Sequence, residues 1–213
     1  MIRLYSWLIW IKCICSVTIV FAISACSTDV SLHPNAHYSP DMTIAIVDVE
    51  HTTFKLEKFY LVVGIARLPC NVAPKLEGKI IKQGFFNVAD RSQIATILEE
   101  QKLQNSDMMD PATAVEVGKL AGLDAIMTVK SVGVGMDSIL YCSDSFECNA
   151  RLIDCKTGHV IGSLSSRRVC PSIFLGWWPL ADNNNWLASK IATELENQLA
   201  EKAASNVEIN PGE

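Results

Sequence analysis

The sequence predicts an α/β (α+β) fold, a mixed sheet of about five strands with helices packed against it and an amphipathic helix at the C-terminus. Three observations carry this. Short β-branched runs alternate with helical periodicities over Met42–Gly122. Two strand-like runs then follow one another across a tight loop at Cys155-Lys156-Thr157-Gly158. The last long segment repeats its apolar residues at helical spacing.

Taken in order, Met42–Glu50 (MTIAIVDVE) is apolar and β-branched enough for a buried strand. Lys58–Leu68 reads equally as a strand or a helix start, and Pro69 and Pro74 bracket a break. Pro74–Gly84 has Pro at a helix start and Gly at its end, with Leu76, Ile80 and Ile81 expected on one face. Phe85–Asp90 reads as a strand leading into a helix over Arg91–Gln104, striped by Ile94, Ile97, Leu98 and Leu103. Asp110 caps and Pro111 opens a further predicted helix that Gly122 ends. Leu123–Met136 is the next strand, weakened toward its end by Gly133 and Gly135. Ser145–Asp154 and His159–Val169 form the predicted hairpin. A helix over about Asn184–Ala203 sets Leu187, Ile191, Leu195 and Leu199 on one side, and residues 204–213 are expected to fray.

The N-terminus has the order of a secretory signal: Arg3 and Lys12 are its only charges, and every residue from Cys13 to Ala25 is apolar or small. Ile23-Ser24-Ala25-Cys26 resembles the lipobox of bacterial lipoproteins. That resemblance implies cleavage between Ala25 and Cys26, with lipid on Cys26. The rival reading is an uncleaved membrane anchor, since Ile2–Ala25 is long enough to cross ~30 Å of hydrocarbon. Lys12 interrupts that run and argues against it. Acyl chains such as palmitate contribute ~0.8 kcal/mol per buried methylene, so several of them hold a protein on a membrane. Ser27 stands where enteric lipoproteins retained in the inner membrane carry Asp, which implies the outer membrane, facing the periplasm. The expected organisation is a signal peptide (1–25), a flexible tether (26–40), a periplasmic domain (41–203) and a tail (204–213).

Across the whole chain 18 basic residues face 23 acidic ones. Loss of Arg3 and Lys12 brings the balance near −7, which disfavours nucleic acid as a partner. Five cysteines remain after the leader and Cys26: Cys70, Cys142, Cys148, Cys155 and Cys170. An odd number leaves at least one thiol free or bonded to another chain. Counting back from the Cys155–Gly158 loop brings residues near 144 opposite those near 170. Cys142–Cys170 is therefore the expected disulfide, with Cys142–Cys148 as rival. Cys155 is expected to be free, and Cys70 has no partner the sequence argues for. There is no CxxC pair and no histidine at ligand spacing, since Pro34 separates His33 from His37. Neither a metal nor a cofactor is expected apart from the covalent lipid on Cys26.

Gly84–Val132 resembles the CsgG/HfaB family of curli production assembly/transport components. The matching residues are Phe86, Val88, Asp90-Arg91-Ser92-Gln93, Ile97-Leu98-Glu99-Glu100-Gln101 and Leu103-Gln104. They continue with Asp110, Thr113-Ala114, Gly118-Lys119-Leu120, Gly122 and Asp124-Ala125-Ile126. Ile44–Glu50 and Ala150–Ile161 look like the family's opening strand and later hairpin. The resemblance implies an envelope protein acting by protein–protein contact in assembly or secretion. Its expected partners are envelope proteins and the membrane through the lipid, and a homo-oligomer is left open. Pore-forming members insert two long β-hairpins per subunit. Here the stretch between Val129 and Phe146 is too short for two membrane strands of ~9–11 residues each. The compact layout is similar to that of LpoB-type lipoproteins, which stimulate a peptidoglycan synthase. Enzyme chemistry is not expected: no GxSxG elbow and no Walker loop occurs. Trp177 and Trp178, adjacent between Gly176 and Pro179, are the candidate contact for a partner or membrane.

Overall fold

The computed structural model describes residues 26–209 apart from 35, 37, 40, 54, 60–62, 91, 93, 95, 98–110, 139–141 and 173–181. The elements in chain order are β1 (Cys26–Leu32), β2 (Thr43–His51), β3 (Lys55–Phe59), β4 (Val63–Leu68) and α1 (Ala73–Gln83). They continue with β5 (Asn87–Val88), α2 (Pro111–Ala121), β6 (Ala125–Ser138), β7 (Cys142–Asp154), β8 (Val160–Ser172) and α3 (Asn183–Ile209). One 8-stranded sheet runs β1-β8-β7-β6-β2-β5. β4 also pairs with β6, and β3 pairs with β4. β2 is parallel to β5 and β6, and the remaining pairs are antiparallel. The sheet is mixed as expected but wider, because β1 and the β3–β4 hairpin join it.

β6 changes partner along its length. β2 faces Ala125–Ser131 and β4 faces Gly133–Ser138. Backbone groups at this handover are satisfied by hydroxyls. Thr52 Oγ1 donates to the Leu68 carbonyl at 2.6 Å and accepts from the Gly133 N–H at 2.8 Å. Ser131 Oγ accepts from the Val72 N–H at 3.3 Å. Glycine at 133 is a steric requirement, since a Cβ there would sit 2.7 Å from the Leu68 carbonyl oxygen.

α1 and α3 cover one face of the sheet. Leu76 and Ile80 from α1, and Leu187, Ile191 and Leu195 from α3, are buried against Ile44, Met127 and Leu152. Each such side chain contributes ~1.5–3 kcal/mol by leaving water. α2 covers part of the other face, where Ala114 and Val117 meet Ala45, Ile126 and Ile153. Gly84 and Gly122 end α1 and α2 at φ of 70° and 66°, as their positions predict.

Several expectations are corrected. Residues 26–32 are not a loose tether but an edge strand whose Val30 and Leu32 enter the core. The chain beyond β1 is also held: the His33 N–H donates to the Ile161 carbonyl at 2.7 Å, and the Tyr38 hydroxyl donates to that same carbonyl. The C-terminal helix does not fray at Ala203 but continues to Ile209. Ile81 is 56% exposed, because the buried stripe of α1 follows Ala73, Leu76 and Ile80 and the next residue turns outward. The strand expected over Phe85–Asp90 shortens to Asn87–Val88. Ser92, Ile94, Thr96 and Ile97 are helical, as expected for the stretch after it. β6 passes through Gly133 and Gly135, as expected, and runs two residues past Met136 to Ser138.

Candidate functional site

Cys26 opens β1, which pairs in unbroken register with β8 from Cys26↔Arg168 to Leu32↔Gly162. Alternation turns Thr28, Val30 and Leu32 toward the core, and Thr28 Oγ1 lies 3.0 Å from the buried Ser166 Oγ. Cys26 itself is exposed. Its partner Arg168 reaches the start of α3, where the guanidinium donates to Asn183 Oδ1 at 3.0 Å and lies 5.1 Å from the Trp186 ring centroid. Lys190 Nζ approaches that ring from the same helix at 5.9 Å. Cys26 is thus coupled through one arginine to the terminal helix.

Cys170 stands two positions along β8 from Arg168, on the same face. Burial pushes its thiol up, Arg168 opposes that rise, and Asp144 and Cys26 add to it. In the β7–β8 register Cys170 faces Asp144 and Cys142 faces Ser172. The expected Cys142–Cys170 pair is therefore diagonal, and diagonal neighbours stand ~7–8 Å apart, wider than disulfide geometry. Cys170 is a free thiol in this structure, whereas the Cys142 side chain lies outside the described residues.

The remaining described thiols belong to the core. Cys70, Cys148 and Cys155 are free and buried. Desolvation first, then nearby carboxylates, push Cys155 up to about 11 and Cys70 up to about 12. Cys148 is raised further by burial, with Cys70 among the neighbouring charges. Neutral buried thiols of this kind are poor nucleophiles. Among the described residues no three His, Cys, Asp or Glu side chains form a group able to hold a metal ion.

The stretch that carries the family resemblance builds the fold. Asp90 Oδ1 accepts from both the N–H and the hydroxyl of Ser92 at 2.8 Å, which holds its carboxyl below the usual range. The carboxylate of Asp90 is the cap, and the Ser92 hydroxyl serves it. Gly118 lets α2 approach the end of β7, since a Cβ there would meet Cys155 Sγ at 2.2 Å. Asp124 Oδ2 accepts from the Thr43 N–H at 3.0 Å, and Lys156 Nζ lies 3.2 Å from its Oδ1. These contacts lower the Asp124 pKa, the Thr43 bond most, and tie β2, β6 and the β7–β8 turn together at one end of the sheet.

Ala25, Trp177 and Trp178 lie outside the described residues. The coupling of Arg168 to Trp186 and Asn183 is a feature that sequence reading misses. Its only sequence signal is Arg167-Arg168 in an otherwise serine-rich strand.

The chain is similar in fold to several solved structures, three of which follow. PelC L103M, a dodecamer from Paraburkholderia phytofirmans, is 12% identical over 79% of this chain and 95% of that one, with a TM-score of 0.42. Lipoprotein GNA1162 from Neisseria meningitidis is 14% identical over 75% and 99%, with a TM-score of 0.46. The LpoB C-terminal domain from Salmonella enterica is 12% identical over 62% and 85%, with a TM-score of 0.39. A search of curated proteins finds no match. The family model described as curli production assembly/transport component CsgG matches residues 26–169, and the chain belongs to that family.

Proposed function

We propose that this protein is a lipid-anchored periplasmic component of the outer membrane that works by protein–protein contact in envelope assembly or secretion. One observation carries the reading. The residue that the lipobox pattern marks as the first of the mature chain, Cys26, is exposed and lies on the edge strand β1 paired with β8. Membership of the CsgG family supports the envelope role. Export of a curli- or holdfast-like subunit is the activity we assign within that role, with activation of a peptidoglycan synthase as its rival. The burial and raised pKa values of Cys70, Cys148 and Cys155 support a binding protein rather than a thiol enzyme.

The test is Cys26→Ser in cells fed a labelled fatty acid. The expected result is loss of the acyl label and build-up of a precursor that keeps residues 1–25, removed from the outer-membrane fraction by tenfold or more. A variant still cleaved after Ala25 and still found in that fraction overturns the anchor. Crosslinking of the wild-type protein in intact cells separates the two finer readings. Rings captured with an exported subunit support export, and a monomer captured with a glycosyltransferase or transpeptidase supports the rival.

A further inference from the structure

Among the described residues the outer strands of the sheet are β1, β3 and β5, and they are guarded differently. β5 is only two residues long. β3 is interrupted by a bulge between Leu56 and Lys58, and its sequence carries Lys55, Glu57 and Lys58. Short length, bulges and charged residues, lysine above all, are the usual protections against unwanted strand pairing. β1 carries little of this protection. Its seven residues hold an unbroken register with β8, contain neither proline nor lysine, and include a single charge, Asp29.

One bond fixes which backbone groups of β1 are free. The His33 N–H donates to the Ile161 carbonyl at 2.7 Å, and residues 33 and 161 continue the β1–β8 register. Bonded and non-bonded pairs alternate along an antiparallel ladder. Ser27, Asp29 and Ser31 therefore bond toward β8, whereas Thr28, Val30 and Leu32 turn their N–H and C=O outward. Among the described residues nothing donates to or accepts from those outward groups. The side chains of Val30 and Leu32 are buried on the face that α3 covers. β1 thus joins a sheltered apolar row to a bare line of backbone.

We propose that β1 is a docking edge that takes an extended segment of a partner protein as one more antiparallel strand, with a Lys or Arg of that segment opposite Asp29. Strand addition of this kind draws affinity from main-chain bonds and specificity from alternate side chains. Asp29 is exposed and makes no ion pair or hydrogen bond among the described residues. Because Asp29 bonds toward β8, the incoming residue opposite it falls in a non-hydrogen-bonded pair, where side chains come closest. Opposite charges stabilise such a pair and like charges repel. The residues on either side of the cation stand opposite Thr28 and Val30, on the helix-covered face, where β-branched side chains fit. A second copy fits worse. Two β1 strands in full antiparallel register are centred on Asp29, which sets one carboxylate directly against the other. The inference deepens the proposed role in protein–protein contact, but the pairing itself does not depend on lipid at Cys26.

The test uses the full mature protein, purified from membranes in detergent, and two synthetic peptides. One is Thr-Thr-Val-Lys-Val-Thr-Thr, and the other has Glu in place of Lys. The Lys peptide is expected to bind, read by the fluorescence anisotropy of a labelled copy, and to slow amide exchange at Thr28, Val30 and Leu32 at least tenfold. The Glu peptide should bind at least fivefold more weakly. Asp29→Lys should reverse that order and leave the thermal melt unchanged, since the side chain is exposed. Val30→Pro removes an outward N–H without removing a bond to β8 and should abolish binding. Val30→Ala, which also gives up packing at that position, should keep it. Failure of both peptides to protect β1 in the folded protein overturns the proposal, as does an order of binding indifferent to Asp29→Lys. A peptide-free dimer that Val30→Pro dissolves would overturn it in favour of a second copy. Absence of acyl label on Cys26 in cells would overturn the anchor alone.

Discussion

The two faces of the sheet are covered unequally. α1 and α3 cover the first face, and its core extends from Val30 on β1 across to Ile44 and Ile46 on β2. Among the described residues, α2 and the helical residues near Ile94 shield the second face over β2, β6 and the end of β7. Over β7 and β8 that face presents Asn149, Arg151, Ser163 and Arg167 to solvent. The difference is written in the strands. β2 is apolar on both sides through Ile44-Ala45-Ile46-Val47, as a strand between two helical layers must be. β8 alternates, with Leu164 and Ser166 buried and Ser163 and Arg167 exposed. Strand pattern therefore reports how many layers a given strip of sheet lies between.

The largest test of this comparison is Leu195→Ala, which opens the helix-covered face where the side chain is 1% exposed. Denaturant unfolding should show a loss of ~2–5 kcal/mol. A loss comparable to that of a surface change would mean that α3 is not a principal cover. Gly118→Ala probes the thinner cover on the other face. The added methyl meets Cys155 Sγ at 2.2 Å and Cβ at 2.4 Å, so a cost of ~1–3 kcal/mol is expected from overpacking. Cys155→Gly removes both clashing atoms and should recover part of that cost in a double-mutant cycle, and additive effects would refute the contact. The smallest effect belongs to the bare strip, where Arg167→Ser should stay within ~0.5 kcal/mol of wild type. A larger change in the isolated protein would mean that this strip is covered after all.

Helix punctuation was the most legible part of the chain. Pro74 and Gly84, and Pro111 and Gly122, mark α1 and α2 because helix ends need special backbone geometry that few residues supply. The Leu187–Leu199 stripe marked α3, but its extension to Ile209 left no apolar period to read. β1 was hidden by composition. Its inward residues Thr28, Val30 and Leu32 do alternate, yet Ser27, Asp29 and Ser31 between them and Pro34 beyond make the stretch look like a linker. An edge strand with one wet face needs little hydrophobicity, so tertiary pairing with β8 decides it. The start of β3, Lys55–Glu57, was missed for the same reason, the lysines and Glu57 of this strand being suited to an outer position. At the site, the count from the β7–β8 turn placed Cys170 opposite residue 144 correctly, and pairing with Cys142 then fell two residues off register.

The pairing of Cys26 on β1 with β8 also determines how the domain bears mechanical load. A pull on that residue along the strand acts across all seven β1–β8 positions at once, because ladder hydrogen bonds lie perpendicular to the strands. The bonds then resist in shear, sharing the tension, where a pull sideways from the edge would part them one after another. Cys26 is thus placed to be pulled lengthwise, and Arg168 carries the strain from there into α3.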